Sequence, residues 1–150
     1  VKLDTPDKIL DYAIVKEQEA ADFYRDLAGK MEKRAIKDVF EGFAQEEMGH
    51  KAKLMAVKDG HKLHISERQI TDLKLSDHLV EPEPTKNLTY QDALIVAMKA
   101  EKAAYVLYNS LAETTDNADL KKLFGMLAQE EARHKLRFEV EYDDVVLTEN

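Results

Sequence analysis

The sequence predicts an all-α chain, a four-helix bundle made of two repeated helical hairpins joined by a long crossover. Three observations predict it. Of 150 residues only five are Gly and three are Pro, while 44% are apolar and 35% charged, a balance that suits long amphipathic helices with solvated outer faces. Apolar residues recur at three- and four-residue spacing over long stretches, the period of one helix face. The chain also repeats itself. A shift of 84 positions carries Ala13 onto Ala97, Glu17 onto Glu101, Ala20 onto Ala104, Tyr24 onto Tyr108 and Leu27-Ala28 onto Leu111-Ala112. The same shift carries Phe40 onto Phe124, Ala44-Gln45-Glu46-Glu47 onto Ala128-Gln129-Glu130-Glu131, and His50-Lys51 onto His134-Lys135. No gap is needed, so two copies of one helical hairpin are expected.

The elements follow in order. Thr5 precedes a first helix with Pro6 at its first position and Asp7 in its first turn, where the missing N–H and the negative charge are both favourable. Gly29 is a natural stop for it. A second helix spans about Lys33 to Lys58 and ends at Asp59-Gly60. Thr89 caps a third, with Asp92 three residues on. Thr114-Thr115-Asp116-Asn117 turns the chain into a fourth, from Ala118 to about Tyr142. Residues 1–150 thus read as a single domain, with hairpins over 5–60 and 89–142 and a crossover over 61–88. The crossover contains Glu81-Pro82-Glu83-Pro84, which is excluded from helix interiors. A short helix over 66–75 is compatible with it. A helix of ~26 residues is about 39 Å long, and a ~28-residue connection spans that distance easily.

Composition narrows the function. The formal charge of −8 argues against general nucleic-acid binding, which needs a basic surface. The absence of cysteine excludes disulfides, thiolate zinc sites and iron–sulfur clusters within these residues. No stretch approaches the ~20 apolar residues of a membrane span, and Val1 to Pro6 lack the apolar core of a signal peptide. A cytoplasmic protein with no membrane or nucleic-acid partner is the expectation.

Charges on the apolar stripes are the anomaly. Glu17 lies on the face of Leu10, Ala13, Ala20, Phe23, Tyr24 and Leu27; Glu47 and His50 lie on that of Ile36, Phe40, Phe43 and Leu54. Glu101 lies among Leu94, Ala97, Ala104, Tyr108 and Leu111, and Glu131 and His134 among Leu120, Phe124, Leu127 and Phe138. Four carboxylates turned into one apolar interior lose hydration and repel one another, at several kcal/mol each. Either they are protonated or cations hold them. Two Glu-x-x-His motifs, each 30 residues after a further glutamate, form the ligand set of di-metal carboxylate bundles. The oxygen-rich, imidazole-containing set suits iron or manganese better than copper, with zinc as a possible occupant. Expected metal ligands are therefore Glu17, Glu47, His50, Glu101, Glu131 and His134, with the di-metal centre itself as the catalytic group. Tyr24 and Tyr108, one heptad after Glu17 and Glu101, are either hydrogen-bond partners of the ligand carboxylates or ordinary core tyrosines. Glu46 and Glu130 fall about 100° around the helix from their neighbours and read as outer-face residues or hydrogen-bond partners. Glu19 reads as surface, Lys51 and Lys135 as helix-end or surface ion-pairing residues, and His61, His64 and His78 as solvated crossover residues.

On these residues the chain resembles the ferritin-like superfamily and, within it, the rubrerythrins. Ala13, Glu17, Ala20 and Tyr24, the run Gln45-Glu46-Glu47-Met48-Gly49-His50, the counterparts from Ala97 to Tyr108, and Gln129-Glu130-Glu131-Ala132-Arg133-His134 carry the resemblance. It implies that Glu47 and Glu131 bridge two iron ions, that Glu17 and Glu101 are terminal carboxylates, and that His50 and His134 bind one metal each. It also implies a non-haem di-iron oxidoreductase, without haem or flavin, that reduces hydrogen peroxide or dioxygen in defence against oxidative stress. Two departures stand out. Rubrerythrins usually add a rubredoxin domain with four cysteines; with none here, a separate electron donor such as a rubredoxin is expected. They also usually carry a second glutamate three residues after the first of the third helix, where this chain has Ala104, which weakens the transfer of their peroxidase mechanism. A ferroxidase or iron-storage protein, and a non-catalytic metal-binding bundle, are the competing expectations. A homodimer is the expected assembly.

Overall fold

In the computed structural model, residues 5–60 and 89–149 are described. They form four α-helices: α1 (Pro6–Lys30), α2 (Arg34–Gly60), α3 (Tyr90–Thr114) and α4 (Ala118–Glu149). The expected crossover over 61–88, the short helix over 66–75, and His61, His64 and His78 lie outside the described residues. The chain divides into two compact units, residues 1–70 and 71–150. Each holds one hairpin, with α1 packed along α2 and α3 along α4.

Local chemistry sets the helix ends. The Lys8 N–H donates to Thr5 Oγ1 at 3.2 Å, and the Asp92 N–H donates to Thr89 Oγ1 at 3.1 Å. The two copies thus start their first helices with the same cap, which satisfies one otherwise orphaned backbone donor. Met31 and Thr115 end α1 and α3 in extended conformation, their N–H groups donating to Ala28 O and Leu111 O. Asn117 Oδ1 accepts from the N–H groups of Asp119 (2.9 Å) and Leu120 (3.1 Å) and so opens α4. The 84-residue shift carries the limits of α1 onto those of α3, and the start of α2 onto the start of α4.

One boundary differs from the sequence expectation. The fourth helix continues past Tyr142 to Glu149. No Gly or Pro interrupts residues 143–149, and Val145 and Val146 are half-buried, so nothing in that stretch stops propagation.

The cores of the hairpins match. In the first, Leu10, Ala13, Tyr24, Leu27, Phe40, Phe43 and Leu54 are buried; in the second, Leu94, Ala97, Tyr108, Leu111, Phe124, Leu127 and Phe138 are. Ala20, Phe23, Ile36 and Ala104, expected on the same faces, are half-buried, and Ala21 is buried in place of its neighbour. Tyr24 meets Phe43 edge-on at 6.2 Å between ring centroids, whereas Tyr108 stacks on Phe124 at 6.4 Å.

The polar ties between helices differ. In the first hairpin Lys51 Nζ donates to Gln18 Oε1 at 2.7 Å, and Lys58 pairs with Asp11. Both join α1 to α2, so Lys51 makes a cross-helix bond where a helix-end or surface ion pair was expected. Lys135 does pair along its own helix, with Glu139. The second hairpin is tied by Tyr90, whose hydroxyl donates to Glu141 Oε1 at 3.0 Å. Glu141 is buried at the position that Val57 occupies in the first copy. Start pairs with end in each case, which makes both hairpins antiparallel.

Burial, and then the hydrogen bond to Glu141, push the Tyr90 phenol above its ordinary pKa. A group whose pKa is raised by folding stabilises the fold fully below its unfolded value, near 10 for tyrosine. That contribution is lost as pH rises toward the folded value. Tyr90→Phe leaves the buried Glu141 without this donor and should cost about 1–3 kcal/mol in urea unfolding at pH 7. The difference between variant and parent should shrink above pH ~10; a pH-independent difference would contradict this account.

Candidate metal centre

Helical period alone brings the candidate ligands of each hairpin together. Glu47 and His50 are one turn apart on α2, as are Glu131 and His134 on α4, so each pair shares a face. Antiparallel pairing then sets Glu17 of α1 beside the first pair and Glu101 of α3 beside the second. His50 Nδ1 approaches Glu17 Oε2 at 3.5 Å and Glu47 Oε2 at 3.9 Å. His134 Nδ1 approaches Glu101 Oε1 at 3.8 Å. In each triad, one ligand-type atom from every residue lies within 4.8 Å of the others.

All six side chains are buried, none more than 3% exposed. The buried atoms Glu17 Oε2, Glu47 Oε1, Glu101 Oε2 and His134 Nδ1 make no hydrogen bond, although their residues have other interactions. Two carboxylates and an imidazole in so small and dry a volume are hard to reconcile with a metal-free resting state. The donor set fits a first-row divalent ion: oxygen-rich, with one borderline nitrogen.

Aromatic and aliphatic residues continue the buried stripe on either side of each triad. Tyr24 lies two turns after Glu17 and Tyr108 two turns after Glu101, both 1% exposed. Leu54 follows His50 by one turn and Phe138 follows His134, and both are fully buried. Glu46 and Glu130 are half-buried and engaged with neighbours. Glu19 is exposed and pairs with Lys16 at 3.2 Å.

The sequence reading passed over Glu141 and Tyr90. A signal was available. Glu141 follows His134 by seven residues and Phe138 by three, so it continues the same stripe, and its repeat counterpart is the apolar Val57. Its place in the last turn of the expected helix, next to Asp143 and Asp144, made it look like a solvated acidic residue.

Helices of this length, paired as antiparallel hairpins with carboxylates and imidazoles on their inner faces, define a ferritin-like four-helix bundle. A solved structure supports that class. The chain is similar to a protein from Thermotoga maritima described as a ferritin-like diiron-carboxylate protein, with a TM-score of 0.74 and 22% identity over 93% of this chain and 95% of that one. The rubrerythrin family model matches residues 8–142. The chain belongs to the rubrerythrin family. None of the described helices is long and apolar enough to cross a membrane.

Buried charge in each triad should oppose folding when no cation is present. Glu47→Gln keeps the shape and removes one ionisable carboxylate from the buried cluster, so it should stabilise the metal-free protein. Calorimetry in the presence of a chelator reads this directly. A lower melting temperature for the variant would contradict the claim that the carboxylates are strained without a cation.

Proposed function

We propose that the chain is a di-iron oxidoreductase that reduces hydrogen peroxide or dioxygen. The observation that carries this reading is the repetition of one buried Glu/Glu/His triad in both hairpins of a rubrerythrin-family chain. Glu17, Glu47 and His50 would hold one ion, and Glu101, Glu131 and His134 the other, with Glu47 and Glu131 shared between the two. Bound there, a pair of ferrous ions supplies the two electrons that reduction of peroxide to water requires.

The residues do the rest. Four carboxylates balance the charge of two divalent cations, so neither partner of the site is left uncompensated in a low-dielectric interior. The imidazoles would bind as neutral ligands, with Nδ1 of each turned toward the carboxylates of its own triad. Tyr24, Tyr108, Leu54 and Phe138 extend the buried apolar stripe beyond the triads. Tyr24 and Tyr108 also have hydroxyls suited to steadying ligand carboxylates. Ala20 and Ala104 follow Glu17 and Glu101 by three residues, so neither half carries a third carboxylate there and the two donor sets are chemically identical.

Electrons must be resupplied after each turnover. With no cysteine in the 150 residues, an external carrier such as a rubredoxin is the proposed donor. Ferrous oxidation feeding an iron store would use the same residues. The two readings part on the oxidant and on stoichiometry: an oxidoreductase turns over with peroxide at two bound irons per chain, whereas a storage protein accumulates many.

A shared ligand serves both ions. Replacing Glu47 or Glu131 with Ala should therefore lower metal content from two per chain toward none, while His50→Ala should cost one. Metal analysis after anaerobic iron loading checks this, and two metals retained by Glu47→Ala would rule out sharing. Protons compete for the same carboxylates and imidazoles, so occupancy should fall as pH drops below about 6. Rapid optical bleaching of peroxide by the reduced, iron-loaded protein should accompany full occupancy. An inert site would overturn the oxidoreductase reading.

A further inference from the structure

The two triads present the same donors, yet the helices that carry them are joined differently beside them. Gln18 follows Glu17 on α1, and Lys51 follows His50 on α2. The Lys51 ammonium donates to Gln18 Oε1 at 2.7 Å, a part-buried bond that ties the two helices at the level of the first triad. Seven residues further along each helix, on the same flank, Lys58 pairs with Asp11.

The gapless repeat gives the equivalent positions of the second hairpin. Lys102 stands where Gln18 does, and Lys135 where Lys51 does. A lysine ammonium has three donors and no acceptor, so the same bond cannot form, and two like charges share the flank. Lys135 turns along its own helix instead, to Glu139. Glu139 stands where the first hairpin has Met55, which offers Lys51 no such alternative. Ile95 and Tyr142 replace Asp11 and Lys58, so no ion pair forms at that level either. The bond between Tyr90 and Glu141 does join α3 to α4, at the open end, two turns of α4 beyond His134.

This difference bears on the triads because each is split between two helices. Glu17 is the one member of the first triad on α1, and Glu101 the one member of the second on α3. Parting the helices at that level withdraws a ligand, and the ease of local opening is set by the bonds at that spot. We propose that Gln18 and Lys102 are positioning residues that give the triads unequal hold on their ions. The Lys51–Gln18 clasp keeps the first ion in place, while the unclasped second triad exchanges its ion readily. The unequal hold rests on the reading of the triads as metal ligands; the clasp itself exists without an ion.

Release kinetics test this on the full chain. Ferrous ion loaded anaerobically and challenged with excess ferrozine should leave in two steps, one ion in each. Gln18→Lys should speed the slow step about tenfold and leave the fast step unchanged. Lys102→Gln with Glu139→Met rebuilds the first hairpin's arrangement in the second and should slow the fast step by a similar factor. Lys102→Met with Glu139→Met removes the same charges but supplies no acceptor, and should leave that step fast. Amide hydrogen exchange of the metal-free chain reads the clasp without iron. There Gln18→Lys should speed exchange over residues 14–21 and 47–54 only, and the rebuilt clasp should slow it over 98–105 and 131–138. Two bound ions released in a single step, or at rates indifferent to these variants, overturn the proposal and leave the triads standing. Fewer than two bound ions overturn both. Exchange indifferent to Gln18→Lys and to the rebuilt pair overturns the clasp whatever the iron content.

Discussion

Each hairpin places a triad of two carboxylates and an imidazole on a buried, largely apolar face, and this placement constrains much of the rest. A charged group on a core face is tolerated only where something compensates it. Glu17, Glu47 and His50 come from two helices of one hairpin, as do Glu101, Glu131 and His134, so the hairpin itself brings each triad together. Helix length, pairing direction and the spacing of the turn are all tied to that requirement. The caps at Thr5 and Thr89 and the short turns at 31–33 and 115–117 set the register in which the first carboxylate of each triad meets the second.

Much of this was readable from the residues alone, for a physical reason. Helical period places Glu47 with His50 and Glu131 with His134 without any tertiary information. The internal repeat supplies the pairing, since two copies that share their apolar and ligand positions in one register fold into equivalent hairpins. Phe124, Leu127, Glu131, His134 and Phe138 all fall on the buried stripe. Less legible was anything decided by contact between helices. Lys51 reaches Gln18 on α1, a pairing that depends on how the two helices meet. The C-terminal extent of α4 was missed because acidic residues near a chain end look solvated, although no helix-breaking residue intervenes. Glu141 went unnoticed for the same reason.

Where the two copies differ, the difference is chemical. The first hairpin closes its open end with Val57 in the core and Lys58 paired to Asp11 at the surface. The second closes the equivalent end with a buried glutamate held by the Tyr90 hydroxyl. A surface pair is screened by salt and contributes little. A buried hydrogen bond to a carboxylate contributes more and is costly to break. The second hairpin also carries the bulkier outer face. Around the triad its inner face has stayed equivalent to the first while its outer face has diverged, as expected if the ligand chemistry is constrained in common and exteriors are free to specialise.

The gapless 84-residue register also limits how such a chain can change over time. One residue added or deleted between Ala13 and Tyr24, or between Phe40 and Leu54, rotates everything beyond it by about 100° around the helix axis. Such a change would swing a carboxylate or an imidazole off the inner face while its partners stayed behind. Within the helices, then, insertions and deletions are closed off and only replacement remains. Length variation among descendants of this hairpin is confined to the turns, the connection between the copies and the trailing end of α4.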